Sequence, residues 1–150
     1  MSNTFDLSKP IAIGSDHAGY VYKEKIVEFL TRKGIAFKDY GTYSEESADY
    51  PDFAHPVAGA VQNSEAAAGI LVCGSGNGVA ITANKYKDVR AALCWEPELA
   101  ELSRQHNNAN VLCLPQRFVS VDAALHMVET FLNTEFEGGR HEKRVGKISC

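Results

Sequence analysis

Short apolar runs recur at 11–13, 35–40, 69–73, 90–94 and 111–114, and the stretches between them repeat their apolar residues at helical rather than alternating intervals. Ala18, Tyr22, Ile26, Phe29 and Leu30 form one such stripe, with Lys25 beside it, and Gly34 stands where a helix C-cap is expected. Pro97 and Glu98 mark a later helix start; Leu99, Leu102, Ser103 and His106 share a face, and Asn107 and Asn108 end it. Ala124, Met127, Val128, Phe131 and Leu132 line a last helix. Strand–helix units joined in this way predict an α/β fold: a doubly wound, five-stranded parallel sheet in a three-layer αβα sandwich of Rossmann-like type. The reason is that each crossover must carry the chain back to where the strands begin. A single domain over 1–150 is expected, without repeat or linker, and with a change of composition only from Gly138 onward. In such sheets ligands bind beyond the carboxyl ends of the strands, which points to 14–17, 41–52, 73–78, 94–96 and 110–117.

Composition narrows the field. With 150 residues, 45% hydrophobic and 23% charged, the chain can bury one sizeable core. A net charge of −4 argues against nucleic acid or a membrane surface as partner, since both favour a basic excess; an anionic ligand would have to be met by local positive charge. No apolar run approaches a membrane span, and residues 1–6 lack the basic start and apolar centre of a signal peptide, so a cytoplasmic location is expected. Cys73, Cys94, Cys113 and Cys150 stand 19 or more residues apart, with no C-x-x-C pair and no clustered histidines. Neither a zinc site nor a disulfide framework is indicated, and no metal is expected.

The segment from Ile70 to Val79 carries the most chemistry. An apolar strand ends in Cys73 and opens into Gly74-Ser75-Gly76-Asn77-Gly78, a loop whose backbone N–H groups can approach an anion before a helix begins. It is not a dinucleotide fingerprint, which belongs to a first strand–helix unit with a different glycine spacing, nor a P-loop, which needs Lys-Ser/Thr after its last glycine. A thiol phosphatase loop would place arginine six residues beyond the cysteine, where this chain has Val79. Two readings of Cys73 remain open. It is a base whose thiolate is favoured by the helix N-terminus, with the loop holding an oxyanion and Ser75 assisting, or it is a buried thiol that packs as a small hydrophobe.

Other candidates carry weaker signals. Asp16 and His17 follow the first strand and should face the same crevice, although Asp16 is also a good helix cap. His106 sits at a predicted helix end, where the helix dipole alone favours an imidazolium. Arg140 and Arg144, four apart in a tail that begins with Gly138-Gly139, would share a helix face and could grip a phosphate; the alternative is a solvated charged terminus.

Taken together, Gly14-x-Asp16-His17-x-Gly19, Asp49-Tyr50-Pro51, Cys73-Gly74-Ser75-Gly76-Asn77-Gly78, Ser103-Arg104-Gln105-His106-Asn107, Asn110-Val111-Leu112 and Glu137-Gly138-Gly139-Arg140-His141 resemble the type B ribose-5-phosphate isomerases, in order along nearly the whole chain. The resemblance implies a metal-free, cofactor-free aldose–ketose isomerase interconverting ribose 5-phosphate and ribulose 5-phosphate in the pentose phosphate pathway. It implies Cys73 as the base between C1 and C2, the Gly74, Gly76, Asn77 and Gly78 loop with Ser75 as the anion hole, His106 as the ring-opening acid and Asp16 as a proton shuttle. His17, Arg117, Arg140 and Arg144 would hold the phosphate, and Tyr50 and Asn107 would line the sugar. The family places the base either at the cysteine before the loop or at a glutamate just after it; Val79 leaves the cysteine. It also implies a homodimer, or a dimer of dimers, whose sites draw on both subunits, with the 138–150 tail contacting the partner. Allose-6-phosphate and galactose-6-phosphate isomerases share this chemistry and are the nearest alternatives. A nucleotide-binding oxidoreductase module and a non-catalytic sugar-phosphate sensor are the alternatives from other classes.

Overall fold

The computed structural model describes residues 4–149. The chain runs β1 (Ile11–Ser15), a 3-10 turn at His17–Gly19, α1 (Tyr20–Arg32), β2 (Phe37–Asp39), α2 (Pro51–Gln62), β3 (Ala68–Cys73) and α3 (Asn77–Ala83). It continues through β4 (Ala91–Leu93), α4 (Pro97–Asn107), β5 (Val111–Pro115), α5 (Val121–Asn133) and α6 (Arg140–Gly146). The strands form one parallel sheet in the order β2-β1-β3-β5-β4. With right-handed crossovers, the steps β1 to β2 and β4 to β5 lay their helices on one face, and the oppositely directed steps β2 to β3 and β3 to β4 lay theirs on the other. Accordingly α1 and α4 pack with α5, and α2 packs with α3. The strands divide their side chains by parity: Ile11, Ile13, Ile70, Val72, Leu112 and Leu114 fill one layer, and Ala12, Leu71, Cys73, Val111 and Cys113 the other. This is the doubly wound sandwich that the spacing predicts.

The switch in winding between β1 and β3 matters for function. Their outgoing connections leave toward opposite faces, so a crevice opens at the carboxyl ends of these adjacent central strands. Gly19 makes it narrow, because a Cβ there would collide with the Val72 carbonyl, and that contact draws the start of α1 onto the end of β3.

Three local details differ from the sequence reading. β2 and β4 are three residues each. Ile35 donates its N–H to Leu30 O (2.9 Å) as part of the turn made by Gly34 at φ +70°, so it closes α1 rather than opening β2. The buried residues of α4 are Ala100, Ser103 and Arg104, whereas Leu99 and Leu102 are only half-buried. Arg104 turns inward because its guanidinium donates to Ala109 O (2.6 Å), Asn108 Oδ1 (3.0 Å) and Thr134 O (3.1 Å) and lies 4.1 Å from the centre of the Phe5 ring.

Lys23 is fully buried, with Nζ 2.6 Å from Asp39 Oδ2 and 2.9 Å from Glu24 Oε2. Asp39 Oδ1 also accepts the Gly41 N–H (2.8 Å), so one carboxylate ties α1, β2 and the loop toward Tyr50 together. Removing one partner of a buried ion pair costs about 3–5 kcal/mol. Because Glu24 remains and Asp39 is one-fifth exposed, Asp39→Ala is expected to cost about 2 kcal/mol, read as a lower guanidinium midpoint at unchanged m-value.

Candidate active site

β3 delivers Cys73 to the mouth of the crevice, where the chain must turn into α3 at once. Gly76 makes the turn at φ +76°, in the region where an L side chain is strained, and its N–H points back to Cys73 Sγ at 3.1 Å. The sulfur therefore faces the glycine turn, where an amide donor is aimed at it. Cys73 is 5% exposed. Ser75 is exposed on the same loop, its Oγ accepting the Asn77 N–H at 3.3 Å.

The β1 side supplies a carboxylate and an imidazole. Asp16 Oδ1 accepts the N–H groups of Ala18 (3.0 Å) and Gly19 (3.1 Å), so it does cap the first turn while lining the cleft. His17 Nδ1 lies 3.1 Å from the Ala48 N–H, which orients the ring from the 41–50 loop. From that loop Tyr50 lays its ring against Gly78, where a Cβ would meet it at 2.6 Å. Beyond β5, Gln116 and Arg117 donate their N–H groups to Cys73 O (2.9 Å) and Gly74 O (3.0 Å), and the Arg117 side chain covers Gly74.

Asp16, His17, Tyr50, Cys73, Ser75 and Arg117 thus surround one cleft of about 420 Å³. Phe118, 73% exposed at its mouth, is, with the small Ala18, a lining residue that the sequence reading passed over. The signal for Phe118 was an apolar side chain beside Arg117 in a strand-end loop. Val79 is wholly inside the core and offers no proton acceptor. Cys94 and Cys113 are also buried, with burial pushing the Cys94 thiol up to about 11 and the Cys113 thiol well above its usual value. These two act as small hydrophobes. Cys150 lies outside the described residues.

His106, Asn107, Arg140 and Arg144 are not with this group. α4 returns antiparallel to the strands, and its 11 residues carry the chain about 16 Å, so its last turn lies near the amino end of the sheet while Cys73 lies at the carboxyl end. There His106 stacks on His141, with ring centroids 4.2 Å apart and planes 13° from parallel, beside Glu137. Burial, His106 and Arg140 hold His141 below the usual histidine range. Arg140 and Arg144 stand one turn apart and exposed on α6, which packs on α4. Asn107 lines a separate cavity of about 640 Å³ with Lys85, Lys87 and Arg90.

Chemically, the first cleft offers a thiol, a loop of backbone N–H groups, a carboxylate and a cation, and the second cluster offers two imidazoles, a carboxylate and two guanidiniums. Among the described residues no helix is long and apolar enough to cross a membrane.

Comparison with known proteins gives this arrangement a context. The family model described as Ribose/Galactose Isomerase matches residues 11–148. Ribose-5-phosphate isomerase B of Escherichia coli K12 is 46% identical over 142 residues, covering 95% of each chain. A ribose 5-phosphate isomerase structure from Thermotoga maritima superposes with TM-score 0.92 at 52% identity, covering 94% of this chain and 97% of that one. The ribose-5-phosphate isomerase B of Mycoplasma genitalium, solved with bound ribulose-5-phosphate, superposes with TM-score 0.90 at 48% identity, covering 95% of both chains.

Proposed function

The chain belongs to the ribose/galactose isomerase family, and from that premise we propose that it is an aldose–ketose isomerase interconverting D-ribose 5-phosphate and D-ribulose 5-phosphate, a reaction of the pentose phosphate pathway. The observation that carries this reading is the contact of Cys73 Sγ with the Gly76 N–H inside a cleft that also holds Asp16, Ser75 and Arg117.

The steps follow from the chemistry of these groups. His106 protonates the ring oxygen as Asp16 accepts the proton of the anomeric hydroxyl, which opens the furanose to an aldehyde. The Cys73 thiolate then removes the C2 proton, and the electron pair moves onto the carbonyl oxygen. The loop of Gly74, Gly76, Asn77 and Gly78 with Ser75 holds the resulting enediolate. A proton passes from the C2 hydroxyl to the C1 oxygen by way of Asp16, and the Cys73 thiol returns its proton to C1, giving the ketose. His17, Arg117, Arg140 and Arg144 grip the phosphate, and Tyr50 and Asn107 line the sugar.

His106 and Cys73 lie toward opposite ends of the sheet, so one chain cannot bring them to one substrate. The reading therefore includes a homodimer, or a dimer of dimers, in which α4 and the 138–150 tail of one subunit complete the cleft of the other. It further includes a single domain over 1–150 and a cytoplasmic location. Turnover of ribose 5-phosphate, compared with allose 6-phosphate under the same conditions, tests the substrate. The pentose is expected to be preferred, and turnover of the hexose alone would move the assignment within the family.

Arg144→Ala is expected to raise KM for ribose 5-phosphate by about 10- to 100-fold, the value of one charge-assisted hydrogen bond to phosphate, with a smaller change in kcat. Steady-state kinetics read the split, and an unchanged KM with a collapsed kcat would oppose a phosphate-gripping role.

A further inference from the structure

The sequence holds no clustered histidines, yet the fold brings two together. Glu137 places Oε1 3.5 Å from His141 Nε2 and 3.9 Å from His106 Nε2, and one ligand atom from each of the three lies within 4.8 Å of the others. From this juxtaposition we propose that His106, Glu137 and His141 bind a divalent transition-metal ion of the zinc class, and that the bound ion withdraws His106 from ring opening and inhibits turnover. The inhibitory half rests on the role given to His106 above; the binding half stands on the geometry alone.

Tetrahedral zinc with Zn–N and Zn–O distances of about 2.0–2.2 Å holds its ligand atoms about 3.3 Å apart. The two spacings to Glu137, 3.5 and 3.9 Å, need to close by a few tenths of an ångström, and the two imidazole nitrogens, within 4.8 Å of each other, by up to about 1.5 Å. The side chains of His106 and Glu137 are 39% and 51% exposed, whereas that of His141 is 9% exposed, so the first two can move onto an ion anchored by the third. The stacked imidazole planes must fan apart, because each lone pair lies in its own ring plane; exposure gives His106 the room. Two imidazoles and one carboxylate, with positions left for water, suit zinc and its late first-row neighbours. Magnesium and calcium call for an all-oxygen shell.

The electrostatics act in both directions. Glu137 sets a carboxylate beside both imidazoles, which favours a cation there. The two guanidiniums on α6 repel a cation, so the ion is expected to be reversible by chelators rather than a permanent part of the fold.

The test uses the whole protein after chelator treatment. Co²⁺ is followed by the visible absorption of a tetrahedral ion, and Zn²⁺ by calorimetry. One ion per chain is expected, kept in Cys73→Ala and weakened at least about tenfold in His141→Ala and Glu137→Gln. The Glu137 side chain is half exposed, so Glu137→Gln reports even if His141→Ala disturbs α6. Zn²⁺ is expected to slow turnover of ribose 5-phosphate, reversibly with chelator, and Glu137→Gln to need at least about tenfold more ion for the same effect. Absence of binding, or binding lost in Cys73→Ala and kept in Glu137→Gln, overturns the site. Binding as expected with turnover untouched overturns the inhibition and the ring-opening role of His106, and leaves the metal site standing.

Discussion

Cys73→Ala is expected to lower kcat for ribose 5-phosphate by about 10³-fold, within the range of about 10²–10⁴ that a positioned general base contributes, while KM stays within about threefold. The split follows from position. The sulfur sits at the end of β3 under the Gly76 N–H, where the reading above brings the carbon that loses its proton, whereas the cations proposed to hold the phosphate are on other elements. Its loss removes an interaction that operates in the transition state and leaves the substrate's grip intact. The substitution is small: Cys73 is 5% exposed and alanine fills most of its place, so stability should fall by no more than about 1–2 kcal/mol. A second measurement separates base from packing. In the wild type, solvent deuterium should enter the sugar during turnover, because the thiol exchanges its proton with water; in Cys73→Ala this exchange should fall in step with kcat. If kcat stayed within about tenfold of wild type, the base would lie elsewhere, with Asp16 another acceptor in the cleft, and Cys73 would revert to a packing residue like Cys113.

The fold was legible because its central strands are covered on both faces. Ile11 to Ile13, Ile70 to Val72 and Val111 to Leu114 are continuous apolar runs, the pattern such strands must have, and each is wholly buried. The outer strands β2 and β4 blurred for the opposite reason: at the edges of the sheet their burial is partial, and flanking apolar residues belong to turns. α2 carried no clear signal, since Pro56 interrupts it and its buried face is mostly alanine. α4 was read one step out of phase, because pattern analysis counts arginine as outward while Arg104 is held inward by carbonyls.

The site divided along the same line. Asp16, His17, Cys73, Ser75 and Arg117 follow strands, and the rule that ligands bind at strand carboxyl ends collects them. Tyr50 joins them through its contact with Gly78. His106 and Asn107 end a crossover helix, and the same topology puts such residues at the far edge of the sheet. That inference was available from the element order alone; motif order along the chain hides it, because motifs carry no information on which end of the molecule they occupy. His141 escaped because its partner, His106, is 35 residues away in sequence, and only the packing of α6 on α4 joins them.

Mixing two inactive variants gives the largest effect of all. Cys73→Ala and His106→Ala should each be nearly inactive alone, one lacking the proposed base and the other the proposed ring-opening acid. If subunits unfold and re-pair at random, about half of the dimers are hybrids. In a hybrid with shared sites, one cleft joins an intact Cys73 to an intact His106 and the other carries both defects. The mixture should therefore recover roughly a quarter of wild-type activity, a gain of about 10²-fold or more over either variant. With both groups acting from one chain, every cleft in the mixture would keep a defect and nothing would be regained. The argument for recovery is the direction of α4: a helix that leaves the carboxyl end of β4 and returns to the amino end of β5 cannot leave its last turn beside Cys73. Equal activity before and after re-pairing would place the ring-opening acid on the same chain as the thiol, and Asp16 or His17, already in the cleft, would have to take that role.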